Sequence, residues 1–198
     1  MSMMDNFGNP KGLMGKFMLK GMNAGHKYIM KYAINLFDWQ EGLNILDVGC
    51  GGGISIQLLL NASLNSRVTG LDISKEAVDQ SKKLNKKYLG DRCNVLQGSV
   101  EKLLFDNNTF DTVTAFETIF FWPNIRDCFK EVYRVTKLNG RFIIAFDAGD
   151  PNKHWDEMIP GMKTYTPEEL KEFYLIAGFR HIEIHKEKNT YCLCGYKK

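Results

Sequence analysis

Hydrophobic positions along the chain follow two alternating spacings. Short apolar runs typical of buried strands are separated by segments in which apolar side chains recur every three or four residues, as on one helical face. The predicted strands are Asn44–Val48, Val68–Leu71, Asn94–Gln97, Phe110–Phe116, Arg141–Phe146, His181–His185 and Thr190–Tyr196. The predicted helices are His26–Phe37, Ile54–Leu60, Ser74 to about Tyr88, Ile125–Thr136 and Thr166 to Gly178. This alternation predicts a parallel sheet with helices on both faces.

The last two predicted strands are joined by a charged turn at Lys186–Lys188. A turn of this length has no room for a helical crossover, so these strands should be antiparallel neighbours. We therefore predict a three-layer α/β sandwich with a mostly parallel seven-stranded sheet and an antiparallel C-terminal strand. The length of 198 residues suits one domain, residues 1–198, in which residues 1–40 form an N-terminal helical cap.

Composition narrows the class of partner. The net charge of +3 is too weak to indicate nucleic-acid binding, and no apolar run approaches the ~20 residues of a membrane span. The five cysteines are odd in number and follow no secretory signal, so reduced thiols in the cytoplasm are expected. Cys192 and Cys194 lack a second cysteine pair, so they predict buried small side chains and no metal site.

A glycine-rich turn follows the first predicted strand. Residues 47–53 read Asp-Val-Gly-Cys-Gly-Gly-Gly, and four glycines within five residues let the backbone approach a ligand closely. A tight turn without any ligand is the alternative interpretation. The dinucleotide fingerprint G-x-G-x-x-G needs glycine at position 54, where Ile54 stands. The turn therefore favours a nucleotide other than a nicotinamide dinucleotide.

An acidic residue ends the second predicted strand, about twenty residues beyond the glycines. A carboxylate at Asp72 can accept hydrogen bonds from both ribose hydroxyls of an adenosine, and it would repel a 2′-phosphate. The alternative is that Asp72 only helps to cap the helix after Ser74. The glycine turn and Asp72, at this spacing, indicate a nucleotide site more strongly than either motif alone.

Together these motifs resemble the class I S-adenosylmethionine-dependent methyltransferases, which have a Rossmann-like fold, and the chain is similar to the small-molecule type. The segments that carry the rest of the resemblance are Gln97–Phe105, Phe110–Val113 and Val135–Arg141, which match the third-strand loop, the fourth strand and the turn before the fifth strand. The resemblance covers about residues 44–198. It implies transfer of a methyl group by in-line displacement, with S-adenosyl-L-methionine as cofactor and S-adenosyl-L-homocysteine as product.

The resemblance also implies which residues bind the cofactor. They are Asp47, Gly49, Gly51, Gly53, Asp72, Ile73, Ser99, Val100 and Phe116. Gly49 and Gly51 would contact its methionine part, and Asp72 its ribose. Ile73 would lie on one face of the adenine, with Ser99 and Val100 at its edge, and Phe116 near the methyl group. The family commonly has Asp where this chain has Ser99, whose hydroxyl can also bond the adenine amino group.

The acceptor side carries fewer signals. The Asn/Asp-Pro-Pro-aromatic motif of enzymes that methylate amino groups of bases does not follow the fourth strand, where Glu117-Thr-Ile-Phe stands. This favours a small-molecule acceptor over nucleic acid. Glu117 is the preferred acidic group near the methyl, and His154 and His26 are candidate bases. Phe120, Phe121 and Trp122 form either an acceptor pocket or ordinary core.

Two other functions stay open on sequence alone. One is an NAD-dependent oxidoreductase on the same general fold, against which Ile54 argues. The other is a non-catalytic S-adenosylmethionine-binding protein, which would carry the same cofactor residues. The identity of the acceptor is not predicted, and either a monomer or a homodimer is compatible with the sequence.

Overall fold

The computed structural model describes residues 26–148 and 155–198 of the chain. In order, the elements are α1 (Lys27–Asn35), β1 (Asn44–Val48), α2 (Ile54–Ala62), β2 (Arg67–Asp72), α3 (Lys75–Leu84), β3 (Cys93–Gln97), β4 (Phe110–Phe116), α4 (Ile125–Val135), β5 (Thr136–Asp147), α5 (Trp155–Met158), α6 (Pro167–Ala177), β6 (Arg180–Glu187) and β7 (Thr190–Tyr196). Single 3₁₀ turns follow α3 at Lys86–Tyr88 and β4 at Ile119–Phe121.

The seven described strands form one sheet in the order β3-β2-β1-β4-β5-β7-β6. Strands β1 to β5 are parallel, whereas β7 runs antiparallel to both of its neighbours. The predicted Rossmann-like architecture with an antiparallel C-terminal strand is confirmed. β2 and β3 lie on one side of β1, whereas β4 and β5 lie on the other side. The carboxyl ends of β1 and β4 therefore border a topological switch point, where ligands of open α/β sheets bind.

Alternating side chains of the strands build a hydrophobic core on each face of the sheet. One core joins Leu46 and Phe142 to α4 and α6 through Phe129 and Tyr174. The other core joins Ile45 to the helices α1, α2 and α3. Cys192 and Cys194 point into this second core, and all five cysteines are buried with free thiols. The predicted three-layer arrangement follows directly from this alternation.

The helix boundaries show the expected capping chemistry. The Ser74 hydroxyl accepts a hydrogen bond from the backbone of Ala77 and begins α3. Thr166 and Glu169 form a complete capping box at the start of α6, and Gly178 ends that helix at φ +115°. α3 ends at Leu84, earlier than the predicted Tyr88, because the Asn85 side chain donates to the carbonyl groups of Gly53 and Ser81.

The fifth strand begins earlier than predicted. The turn expected within Val135–Arg141, at Asn139 and Gly140, lies inside β5, which begins at Thr136 directly after the helix. Thr136 already pairs with Phe110 of β4, and the register between the two strands shifts before the next pair. Within the irregular part of β5, Asn139 adopts φ +63°, a left-handed conformation that asparagine tolerates.

The described part of the predicted N-terminal cap consists of α1 and the segment after it. Arg141 of β5 anchors this segment, because its guanidinium donates to the Asp38 carbonyl at 3.0 Å and lies over the rings of Phe37 and Trp39. Residues 1–25 of the cap lie outside the described residues. Among residues 26–148 and 155–198, no helix has the length and apolar character needed to cross a membrane.

Candidate functional site

A cleft opens at the carboxyl edge of the parallel strands. Its volume is about 920 Å³, which includes the solvent-filled mouth. The segments that line it follow β1, β2, β3 and β4, as expected when parallel strands end at one edge of a sheet. His26 and Met30, at the start of α1, close one side. The cleft therefore brings together segments that are up to about 100 residues apart in the chain.

The glycine loop forms the floor of this cleft. The N–H groups of Gly49 and Cys50 both donate to the Leu71 carbonyl, at 2.7 and 3.1 Å, which holds the loop against the end of β2. Gly49 adopts φ +73°, and a Cβ atom there would lie 2.1 Å from the Thr118 hydroxyl. Gly51 adopts φ +51°. Both positions therefore need glycine, as the motif predicts.

Asp72 lies beside the loop at the end of β2. One carboxylate oxygen accepts from the Gly51 N–H at 2.8 Å, and the other accepts from the Ser74 N–H at 2.9 Å. Burial raises the pKa of Asp72, and the hydrogen bonds from the Ser74 and Gly51 backbones oppose this rise. A carboxylate has about four acceptor positions, so Asp72 can still accept hydrogen bonds from a ligand in the cleft.

The side of the cleft beyond Asp72 is formed by Ile73, Ser99 and Val100. Ile73 is 51% exposed, although it is a large apolar side chain beside a cleft. Such a side chain offers a surface on which a planar ring can lie. The Ser99 hydroxyl accepts from the Glu101 N–H at 3.2 Å and lies 3.3 Å from the Glu101 carboxylate, so its own turn engages it.

The opposite side of the cleft carries two of the three candidate catalytic residues. The side chains of His26 and Glu117 approach each other, with His26 Nε2 3.6 Å from Glu117 Oε2. The other Glu117 oxygen accepts from the Asp147 N–H at 2.5 Å. Burial raises the pKa of Glu117 to about 8 and lowers that of His26. The third candidate, His154, lies outside the described residues.

The three consecutive aromatic residues after β4 divide between core and cleft. Phe120 is buried and packs edge-on against Phe146. Phe121 lines the cleft, as does Phe116 at the end of β4. Trp122 also lines the cleft, and its ring stacks on Phe142 at a centroid distance of 6.1 Å. Phe120 therefore belongs to the core, whereas Phe121 and Trp122 border the cleft.

Two predicted cofactor residues lie outside the lining of the cleft. Asp47 is 1% exposed, and its carboxylate accepts from the hydroxyls of Ser55 and Thr114 at 2.5 and 2.7 Å. Burial raises the pKa of Asp47 to about 6, and these hydrogen bonds oppose the rise. Gly53, at φ +86°, faces α3, where a Cβ atom would lie 2.4 Å from the Ser81 hydroxyl. Both residues therefore contact the helices and strands that surround the loop, on the side away from the cleft lining.

Thr118 is a site residue that the sequence motifs did not indicate. Its side chain occupies the space that the missing Cβ of Gly49 leaves, and it lines the cleft. The contact joins positions 69 residues apart, so no local pattern signals it. A glycine that requires positive φ shows only that some group approaches it closely.

The residues present fit an adenosine that carries a methionine chain. A bare backbone cradle at Gly49 and Gly51, acceptor positions on Asp72 and the exposed face of Ile73 all open onto one cleft. The nucleoside would be held at the ends of β2 and β3. The methionine part would then extend past the glycine loop toward Phe116 and Glu117 at the end of β4.

Comparison with known proteins gives the same class. The sequence family described as a methyltransferase domain matches residues 46–144. YrhH of Bacillus subtilis, a methyltransferase by name, is 29% identical over 171 residues, which cover 86% of this chain and 87% of YrhH. The 24-methylenesterol C-methyltransferase 3 of Arabidopsis thaliana is 30% identical over 173 residues. Those residues cover 79% of this chain but 46% of the sterol enzyme, so the chain spans less than half of that relative.

The fold is also shared with solved structures. A SAM-dependent methyltransferase from Aquifex aeolicus superposes with a TM-score of 0.75 at 20% identity, covering 91% of this chain and 96% of that one. At this identity the likeness shows the fold alone. The matched domain spans β1, the glycine loop, Asp72 and β4, which are the parts that build the cleft. The chain therefore belongs to the class I S-adenosylmethionine-dependent methyltransferases, with S-adenosylmethionine as methyl donor and S-adenosylhomocysteine as product.

Proposed function

We propose that the chain methylates a small, largely apolar molecule bound over the carboxyl end of β4. The observation that supports this most directly is the lining of the cleft beyond the glycine loop. Met30, Phe116, Phe121 and Trp122 supply apolar surface, and no Lys or Arg of the described residues lines the cleft. A nucleic-acid acceptor would need cationic groups for its phosphates. The lining therefore favours an uncharged acceptor body.

The Arabidopsis relative supports the same acceptor class. Its name places its acceptor among sterols, which are small and almost entirely apolar. The two chains share the domain that holds the cofactor, while most of the sterol enzyme's length has no counterpart here. We therefore extend only the apolar character of the acceptor to this chain.

The roles proposed for individual residues follow from their places around the cleft. Gly49 and Gly51 provide the bare backbone against which the methionine part of the cofactor packs, and Asp72 accepts from its ribose hydroxyls. Ile73 and Val100 border its adenine. When bound, S-adenosylmethionine supplies an electrophilic methyl group on a sulfonium.

The chain's contribution to catalysis would be placement and shielding from water. Phe116, Phe121 and Trp122 hold an apolar acceptor in line with the methyl group and exclude solvent, which converts a bimolecular encounter into a positioned reaction. Glu117 and His26 are the titratable groups on that side of the cleft. We infer that they handle any proton that the acceptor loses.

The compartment and assembly state are also proposals. Five buried free thiols support a reducing compartment, which for this chain we take to be the cytoplasm. The described residues of one chain line the cofactor cleft. A monomer or a homodimer is compatible with this arrangement.

The function is tested with methyl-labelled S-adenosylmethionine and three groups of acceptors. One group contains sterols and other apolar small molecules in cyclodextrin, the second contains polar metabolites, and the third contains RNA and DNA. We expect label to transfer to the first group only, and to be lost with the Asp72→Ala variant. Transfer to nucleic acid or to polar metabolites alone would overturn the proposed acceptor class. Cofactor binding without transfer to any acceptor would favour the non-catalytic alternative.

A further inference from the structure

The carboxyl end of β4 holds a buried acidic side chain on an unusual backbone. Glu117 adopts φ +58°, a left-handed conformation that a residue with a long side chain rarely takes. Its side chain is 10% exposed, and one carboxylate oxygen accepts from the Asp147 N–H. Strained residues of this kind persist where the surroundings fix them, and they concentrate at functional sites. Glu117 lines the cleft from this position.

The groups that face Glu117 do not supply a positive charge. His26 Nε2 is 3.6 Å from Oε2, which is longer than a hydrogen bond, and burial lowers the pKa of His26 so that the ring is neutral near pH 7. Asp147 of β5 and Asp72 across the cleft carry the same sign as Glu117. The lining within the described residues includes no Lys or Arg. Among residues 26–148 and 155–198, no cation therefore lies in the cleft lining to stabilise a carboxylate formed here.

The position of Glu117 in the cleft indicates which ligand can supply that cation. Thr118, its neighbour in sequence, packs directly on Gly49 of the glycine loop. In the cofactor placement proposed above, Asp72 and Ile73 hold the nucleoside on the opposite side, at the end of β2. In that placement, the part of the cleft that remains for the charged sulfur and its methyl group lies between the glycine loop and the end of β4, where Glu117 lines the cleft.

We propose that Glu117 is the counter-ion of the sulfonium and exchanges a proton for its positive charge. In the empty cleft Glu117 is protonated, because burial raises its pKa to about 8. Entry of the cation favours the carboxylate, and the released proton leaves toward solvent past His26, which is 29% exposed. This inference rests on the cofactor placement proposed above.

The same exchange balances the charge of the methyl transfer. As the new bond to the acceptor atom forms, the methyl–sulfur bond breaks and the sulfur keeps the bonding electron pair, so the positive charge in the cleft disappears. The Glu117 carboxylate then takes the proton that the acceptor loses, and the electron pair of that bond stays on the acceptor. The cleft ends the cycle with a protonated Glu117, ready for the next exchange.

Calorimetry on the 198-residue chain tests the proposal without any methyl acceptor. S-adenosylmethionine and S-adenosylhomocysteine are titrated from pH 6.5 to 9, each in two buffers with different ionisation enthalpies. We expect the affinity ratio of the two ligands to shift toward S-adenosylmethionine as pH rises, by up to about tenfold per pH unit below pH 8, and then to level off. Near pH 6.5, binding of S-adenosylmethionine should release close to one proton more than binding of S-adenosylhomocysteine, and this difference should disappear toward pH 9.

Taking the ratio cancels contributions that the two ligands share. Protonation of Asp72 affects both through the ribose, so it leaves the ratio unchanged. Glu117→Gln removes the titration at position 117 but keeps an oxygen that can accept from the Asp147 N–H. It should lower the affinity for S-adenosylmethionine by about tenfold or more, leave that for S-adenosylhomocysteine nearly unchanged, and remove most of the pH dependence of the ratio. Any titration of the ligand's own amino group persists in this variant and can be subtracted.

The outcomes separate the inference from the proposed function. Equal proton release by both ligands in the wild-type protein would overturn the counter-ion role, whether or not the variant folds. So would an unchanged ratio in a folded Glu117→Gln protein. In both cases an Asp72→Ala variant that loses affinity for both ligands would keep the proposed cofactor placement intact. If the Asp72→Ala variant also binds both ligands normally, that placement is wrong and the counter-ion role is wrong with it.

The matched control is Glu41→Gln, because Glu41 is exposed and lies outside the cleft lining.

Discussion

The Gly51 backbone N–H donates to the Asp72 carboxylate across 2.8 Å, which fastens the glycine loop to the end of β2. The same carboxylate also fixes the Ser74 N–H at the start of α3. Asp72 thus shapes the site as well as presenting acceptor positions to a ligand. The two sequence motifs, separated by about twenty residues, are parts of one hydrogen-bonded unit.

Asp72→Ala should weaken binding of S-adenosylhomocysteine by about 1–3 kcal/mol, because a charge-assisted hydrogen-bond pair to the ribose is lost. Isothermal titration calorimetry measures this directly. Asp79→Ala is the matched control, since Asp79 is an exposed acidic residue of α3 that pairs with Lys75. An affinity equal to that of the wild type would contradict the ribose role of Asp72.

Gly49→Ala should destabilise the protein more than Gly42→Ala does. Both glycines adopt φ +73°, so alanine pays the same backbone strain of about 1 kcal/mol at each position. At Gly42 no atom lies within 4 Å of the added Cβ, whereas at Gly49 it would collide with Thr118. We expect an additional loss of about 1–3 kcal/mol at Gly49 in urea unfolding. If both variants lose the same free energy of unfolding, the Thr118 side chain moves away from the added Cβ without destabilising the protein.

The stability of the ligand-free protein should fall as pH rises from 6.5 to 8. Glu117 has an ordinary pKa of 4.5 when unfolded and about 8 when folded, so the folded state binds more protons in this range and loses its advantage with rising pH. The full effect across 3.5 pKa units is at most about 5 kcal/mol. The lowered pKa of His26 acts in the opposite direction, and mainly below pH 6.5.

Unfolding in urea at several pH values measures this slope. Glu117→Gln should flatten it between pH 6.5 and 8, because glutamine does not titrate. A slope of the same size in the variant would assign the effect to another group.

Asp47→Ala should reduce stability by about 1–3 kcal/mol, because the buried Ser55 hydroxyl loses its carboxylate acceptor and the Thr114 hydroxyl keeps only the Leu46 carbonyl at 3.4 Å. The folded variant should lose less affinity for S-adenosylhomocysteine than Asp72→Ala does, since Asp47 is outside the cleft lining. Thr114→Val removes one of these hydrogen bonds and should cost less. An affinity loss equal to that of Asp72→Ala, with stability unchanged, would place Asp47 in contact with the ligand.

Much of the fold was predictable because its signals are local. The bounds of β1, β4 and β7 match the sequence prediction, since each strand is an apolar run that ends in turn residues or polar segments. The cleft-facing roles of Gly49 and Asp72 follow from their places at the carboxyl ends of β1 and β2. Membership of the methyltransferase family was predictable from the same two motifs.

Features that depend on contacts distant in sequence were not predictable. The contact of Thr118 with Gly49 joins the loops after β4 and β1. β5 begins early at Thr136 because this residue pairs with Phe110 of β4. The motif placed Asp47 and Gly53 with the cofactor, but burial against α2 and α3 turns both residues away from the cleft. Sequence named Glu117 as a candidate, yet its protonation depends on burial that only the folded chain creates.

The position of β7 between β5 and β6 has a consequence for how the protein is made. β6 is synthesised before β7, but β7 is its only partner among the described strands, so β6 joins this sheet only once β7 has left the ribosome and paired with β5. Until then the open edge of β5 offers unpaired backbone groups to other nascent chains. Pairing of β7 with β5 is therefore the step that closes this edge of β5.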